Sequence, residues 1–191
     1  PVFIDKPLTD RYEDLRSFMH WYASGKKIMS SSCMRYAREF AELRRRRDEV
    51  GKVRLITVTM CKSWERYGIH AMEAVYPFLQ PFRWSSVTNS GTEESNIVHV
   101  HHASGVEVIA ATIEDLYGAM GCVSLYGMAG SLTARFADSF YAFRAQLAAF
   151  VQYLRSGVPP FRFDETVELI QMVIAGTQSR QNQGKRTVLL N

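Results

Sequence analysis

A histidine in the stretch Trp64–Leu79, WERYGIHAMEAVYPFL, is the residue best placed to move a proton. His70 follows an aromatic pair, Trp64 and Tyr67, and a glycine, Gly68. Beyond that glycine the apolar residues fall at Ile69, Met72, Val75, Tyr76 and Leu79, which is helical spacing and puts His70 in the first turn of a helix. The positive end of a helix biases an imidazole toward its neutral form, and a neutral imidazole with one free nitrogen can take a proton from an alcohol. A lone histidine on a helix also fits a capping or packing role. Glu73 lies one turn on, within reach of His70, and fits equally a share in that proton role or the part of a salt bridge or helix-surface charge. Lys6, between an apolar run and Pro7, is awkward to explain as a surface residue. Of three close histidines, His99 and His101 share one face of a strand and His102 points to the other. No partner carboxylate stands at ligand spacing in the sequence, so they read as cross-strand surface residues and no metal site is assigned.

The elements that must position these residues follow from the pattern. Val2–Asp5 reads as a strand, and a helix follows with Asp10 as N-cap and Glu13 completing a capping box. Tyr12, Leu15, Phe18, Met19 and Tyr22 make its buried stripe, Gly25 ends it, and 27–32 is a second strand. Such a βαβ unit implies parallel strands, and two parallel strands rarely stand alone. The unit therefore reads as the tail of a larger α/β domain, although the sequence holds no G-x-G-x-x-G. Residues 35–49 read as a charged helix ending at Gly51, and 53–60 as a strongly β-branched strand. Pro77 removes a hydrogen bond and ends or kinks the His70 helix. From Phe82 to Phe136, short β-rich runs separated by polar turns, with a hairpin at Ser104-Gly105, predict an antiparallel meander.

Two helices close the pattern. In the first, Phe140, Phe143, Leu147, Phe150, Val151 and Leu154 make an apolar stripe that reads as core. In the second, Asp164 is the cap and Val167, Ile170, Val173 and Ile174 face inward; 187–190 is a last strand. Helices at the ends and strands in the middle predict an α+β domain with helices on one face of the sheet. Its other face, with Trp84, Val98, Val100, Val108 and Ile109 assigned to it, is too apolar to stay in water, so self-association through that face is expected.

Composition bounds the rest. With 191 residues, 47% hydrophobic and 22% charged, the chain fits one domain or one and part of another. The net charge of +4 owes much to the run Arg44–Arg47, which reads as a solvated helix face; no aromatic-basic motif accompanies it, so no nucleic acid is expected. Cys33, Cys61 and Cys122 read as reduced, buried thiols of a cytoplasmic protein. No apolar run reaches the length of a membrane span, and no secretory signal is expected.

Four motifs in order resemble the glucose–fructose oxidoreductase / inositol 2-dehydrogenase / rhizopine-catabolism (Gfo/Idh/MocA) family. VFIDKPL resembles its E-K-P segment, SSSCMRYA its next strand with an arginine-aromatic pair, YGIHAMEAVY its histidine helix, and FDETVELIQMVIAGTQSRQNQGKRTVLL its last helix and strand. The resemblance spans the chain. It implies a two-domain oxidoreductase using NAD or NADP, with residues 1–34 as the terminal βαβ of an incomplete Rossmann domain and 35–191 as the C-terminal substrate-binding and oligomerisation domain. The fold implied there is α+β, an open, mostly antiparallel sheet with helices on one face, like that of dihydrodipicolinate reductase. Most of the cofactor-binding domain lies outside this chain, with Lys6 and Pro7 as its contributions.

By the same resemblance, Lys6 falls on the family lysine between nicotinamide and substrate hydroxyl, and His70 on the proton acceptor. Arg35, Tyr67 and Glu73 fall at the substrate, with Arg35 open to a second reading as a tie between domains. The substrate class implied is a sugar, polyol or related hydroxy compound. Asp5 stands where glutamate is usual, and Arg66 where many members have aspartate four residues before the histidine. The second departure keeps open a non-catalytic binding or assembly module derived from the family.

Overall fold

The computed structural model describes residues 1–79 and 84–189. Phe82, the expected start of the strand-rich region, and Leu190, the expected end of the last strand, lie outside them. Val2–Asp5 (β1), Tyr12–Ala23 (α1) and Ile28–Ser31 (β2) form the anticipated βαβ unit, with β1 and β2 parallel and Asp5 opposite Ser31. The cap differs. The helix starts at Tyr12 behind Arg11, whose N–H donates to Thr9 Oγ1, so Asp10 and Glu13 make no capping box. Met19 is 44% exposed because α1 rests on a narrower stripe centred on Leu15, which is 1% exposed.

The expected helix at 35–49 is broken. Ser32 caps a 3-10 turn, Cys33–Tyr36, through a hydrogen bond to its hydroxyl oxygen from the Met34 N–H. The regular helix is only Arg38–Arg45 (α2), and a second 3-10 turn runs to Val50 before Gly51 at φ 69°. Arg45 and Arg46 pair with Glu42 and Glu49 on the exposed side. Arg47 instead donates to the Phe78 carbonyl at 2.9 Å.

Val53–Cys61 (β3) enters the second sheet and leads to Trp64–Val75 (α3). The helix gives way to a 3-10 turn at Tyr76–Phe78, where Pro77 cannot continue the ladder. The strands Trp84–Asn89 (β4), Ser95–His102 (β5), Glu107–Ile113 (β6), Cys122–Gly127 (β7) and Ser131–Arg135 (β8) follow, then the helices Ser139–Ser156 (α4) and Phe163–Gln181 (α5) and the short strand Thr187–Val188 (β9). Sheet order is β8-β7-β3-β6-β5-β4-β9. Only β4-β5-β6 form a meander. β3 inserts between β6 and β7, parallel to the first and antiparallel to the second, because its apolar run is buried enough for a central position.

Side chains alternate across this sheet except at register shifts after Val53 in β3 and after Trp84 in β4. Trp84, Val98, Val100 and Val108 are at most 3% exposed and lie on the face covered by helices, not on the open one as expected; of that set only Ile109 faces away. The open face carries Leu55, Thr57, Ile97, His99, His101, Glu107, Ile109 and Tyr126. α3 and α5 cover the other face and meet through Trp64, whose indole N–H donates to the Val173 carbonyl at 2.8 Å. Gly68 and Gly176 make room for it: a Cβ on Gly68 would lie 2.6 Å from the Trp64 ring, and one on Gly176 would strike Nε1. This packing fixes the angle at which α3 presents His70.

The closing helices part from expectation in two ways. α4 buries Ala142, Gln146 and Tyr153, while Phe140, Phe143, Leu147, Val151 and Leu154 are exposed. The deciding contact is polar: Gln146 donates to the Ser31 carbonyl at 2.7 Å and to the Ser31 hydroxyl oxygen at 3.1 Å, giving buried acceptors on β2 a partner. Among the described residues, Phe150 alone of that stripe finds a ring partner, Phe3, at 5.5 Å. α5 begins at Phe163 behind Arg162, whose N–H donates to the Glu165 carboxylate; Asp164 sits inside the first turn and pairs with the Arg162 side chain. Its inward residues Val167, Ile170, Val173 and Ile174 are buried as the spacing indicates. Cys33 and Cys61 are buried free thiols, and Cys122 is partly exposed. No helix among the described residues is long and apolar enough to cross a membrane.

Candidate active site

Three elements bring the candidate residues together: the end of β1, the 3-10 turn after β2, and α3. Lys6 follows β1 directly and turns toward α3, where its ammonium donates to the Arg66 carbonyl at 3.3 Å and lies 4.8 Å from the centre of the Tyr67 ring. Burial holds this lysine below its ordinary range, against the raising effect of Asp5. Lys62 approaches the same ring, at 5.0 Å. It occupies the turn between β3 and α3 with φ 63°, a left-handed conformation uncommon for a lysine. Nothing in the linear pattern marks Lys62, because the signal is a backbone angle.

His70 is 8% exposed and packs 4.9 Å from Tyr67, ring centre to ring centre. The helix begins at Trp64, so His70 lies in its second turn and not at its N-terminus. The imidazole is neutral for a different reason from the one the sequence suggests: burial, and then the Lys6 ammonium, push it down to about 3. Its Nδ1 lies 2.6 Å from the Ser32 hydroxyl. If Ser32 donates, Nε2 carries the hydrogen; if Nδ1 carries it and donates, Nε2 holds the lone pair. Ser32 was not among the sequence-derived candidates. Its place in a run of three serines gives no hint which one faces a histidine 38 residues away.

Arg35 and Glu73 form the layer behind. The Arg35 guanidinium binds the Glu73 carboxylate through Nε and the Glu165 carboxylate at 2.7 Å through Nη1. The other Glu73 oxygen accepts the Ser32 N–H at 3.2 Å. Both Glu73 oxygens are thus engaged, and neither hydrogen bond goes to His70. Burial opposes the Arg35 charge, but the two carboxylates outweigh it and keep the guanidinium above its ordinary range. Burial pushes the Glu73 carboxyl up, although Arg35 pulls it down. Arg35 joins the turn after β2 to α3 and α5, and both of its carboxylate partners lie, like Arg35 itself, within 35–191. Cys33, pushed up to about 11 by burial and Asp5, is an inert thiol beside this group.

The His70 shift makes acid stability a readout of the site. The unfolded chain takes up a proton at its histidine near 6.5, while folded His70 stays neutral down to about 3. Between those values the unfolded state binds more protons, so the stability present above 6.5 falls as pH drops through the window, by at most about 1.4 kcal/mol per pH unit from this group. Urea unfolding between pH 7 and 5 is expected to show a steeper loss for the natural chain than for His70→Gln. Equal slopes would place a protonated imidazole in the folded state.

No protein-family model matches the chain, and neither does any curated protein. Solved structures do. A myo-inositol dehydrogenase from Corynebacterium glutamicum superposes with a TM-score of 0.79 at 18% identity, over 100% of this chain and 73% of that one. The chain shares the fold of these dehydrogenases. A myo-inositol dehydrogenase from Lactobacillus casei, in complex with NAD(H) and myo-inositol, gives 0.78 at 13% identity over 99% of this chain and 70% of that one. GenD2 from gentamicin A biosynthesis, in complex with NAD, gives 0.78 at 16%, over 100% and 72%.

Proposed function

We propose that the chain is the terminal βαβ (1–34) and the substrate-binding domain (35–191) of an NAD(P)-dependent oxidoreductase of the Gfo/Idh/MocA family, acting on a sugar, polyol or related hydroxy compound. The observation that carries this is the convergence of Lys6, Tyr67 and His70 on one spot at the carboxyl end of β1, where doubly wound sheets place their ligands, in a chain with the dehydrogenase fold. The two parallel strands of the βαβ unit border an apolar hollow of about 400 Å³ lined by Val2, Ile4, Phe18, Trp21 and Ile28, a surface suited to further strands. The open face of the larger sheet, with Ile97 and Tyr126 about two-fifths exposed, suits a second copy of the chain.

The donor set fits a dinucleotide's reactive end rather than its phosphates. Lys6 has one hydrogen bond among the described residues and further N–H donors to spare, whereas the sequence holds no glycine-rich turn. NAD or NADP, when bound, accepts the hydride from the substrate carbinol. Lys6 and Pro7 would border it. The Lys6 ammonium stabilises negative charge developing on the substrate oxygen. His70, held at Nδ1 by Ser32, takes the hydroxyl proton at Nε2 as the C–H bond breaks, leaving a carbonyl product. Tyr67 walls the site. Lys6 acts in two senses here: its charge depresses His70 in the resting site, and the alkoxide forming between them offsets that effect.

Arg66, exposed one turn before His70, favours a second reading, a non-catalytic binding or assembly module. Turnover decides between them. The protein with its dinucleotide-binding domain is screened against polyols, sugars and sugar acids with NAD and NADP; the enzyme reading expects reduced dinucleotide from at least one class, and none from any would leave the module.

A further inference from the structure

The strand pairing supplies what the sequence lacked beside its histidines. β5 and β6 are antiparallel with His101 opposite Glu107, and His99 lies two residues along on the same face. His99 Nε2 is 2.7 Å and His101 Nδ1 2.8 Å from the same Glu107 oxygen, Oε2. The imidazole centres are 4.0 Å apart. One donor atom from each residue falls within 4.8 Å of the other two. In the single chain the side chains are 36%, 30% and 44% exposed. A partner carboxylate is present after all, contrary to the expectation from the linear sequence: Glu107 comes from the next strand, across the hairpin.

We propose that His99, His101 and Glu107 bind a divalent transition-metal ion of the zinc class. Two neutral imidazole nitrogens and one carboxylate oxygen are the donor set of three-ligand zinc sites, whose remaining position is open to water. The contacts now made require small adjustments only. Each histidine moves its N–H hydrogen to its other ring nitrogen, turning the nitrogen that faces Glu107 into a lone pair, and the carboxylate exchanges two N–H donors for the cation. The three residues sit on adjacent strands of a seven-stranded sheet, so their backbone positions are already set and little ordering accompanies binding. The site is separate from the Lys6–His70 group, which belongs to α3 and the βαβ unit, and it does not depend on the proposed oxidoreductase activity.

Calorimetric titration of the chelator-treated chain with zinc chloride at neutral pH tests this, with cobalt chloride as a spectroscopic probe. One saturable site per chain is expected. His99→Ala and His101→Ala should each weaken it at least tenfold or so, as even loss of an outer partner does at metal sites. Cobalt should give the visible bands of a nitrogen- and oxygen-ligated tetrahedral ion. All three residues are partly exposed, and circular dichroism of the variants should match the natural chain. No saturable binding overturns the proposal. So does unchanged binding in the His99→Ala/His101→Ala double variant, which would place the metal elsewhere, or thiolate charge-transfer absorption, which would place it on a cysteine.

Discussion

His70→Ala, made in the protein with its dinucleotide-binding domain, is expected to lower kcat by about 10²–10⁴-fold, the usual loss when a general acid–base group is removed. The buried imidazole is the one titratable side chain that packs on Tyr67 while having Nδ1 tethered to Ser32. Its environment also sets the pH profile. Burial and Lys6 push His70 down to about 3, so the acid limb of kcat/KM should lie below the ordinary histidine range instead of near 6.5. Ser32→Ala separates positioning from proton transfer: it should reduce kcat by less than His70→Ala and shift the acid limb, since Nδ1 loses its partner. Steady-state kinetics across pH on both variants checks this. Near-normal turnover of His70→Ala would transfer the proton role elsewhere.

Glu73→Ala is expected to cost about 3–5 kcal/mol of folding stability, the typical loss when one partner of a buried ion pair is removed. Both side chains are at least nine-tenths buried, so solvent does not screen the pair. Without Glu73, the Arg35 guanidinium keeps Glu165 alone, and the Ser32 N–H loses its acceptor. Stabilities of single domains run to about 5–15 kcal/mol, so the change consumes a large share. Urea unfolding of the chain measures it. Glu73→Gln should lose less, because an amide oxygen can still accept from Ser32. A loss under about 1 kcal/mol for Glu73→Ala would mean that Arg35 and Glu165 relax into a pair of their own. Glu73 also reaches the site indirectly, since Ser32 links it to His70.

The sequence discloses features with a local cause. Helical spacing beyond Gly68 marks α3, Pro77 marks its end, Ser104-Gly105 marks a hairpin, and alternation marks the strands, so the α+β class with a mostly antiparallel sheet is legible. What it hides is set by partners distant in the chain. Periodicity identifies two faces of each strand without saying which one the helices cover, and the apolar set Trp84, Val98, Val100 and Val108 lies under them. The same limit applies to α4. An apolar stripe there looks like core, yet Gln146 is the buried residue because the Ser31 carbonyl needs a donor. Ser32 escapes notice for a related reason, since it meets His70 across 38 residues, whereas Glu107 is near its histidines in the chain and is brought to them by the register of the β5–β6 hairpin. His70 was found from its helix, but its neutrality comes from burial, which the sequence does not display.

Isotope transfer tests the central claim most directly. The protein with its dinucleotide-binding domain is incubated with NAD or NADP and a polyol deuterated at the carbinol carbon, and the reduced dinucleotide is examined by NMR. The account expects deuterium on the nicotinamide ring, with the rate of its appearance falling with kcat in His70→Ala. Reduced dinucleotide without deuterium, or label transfer at an unchanged rate in His70→Ala, would contradict it.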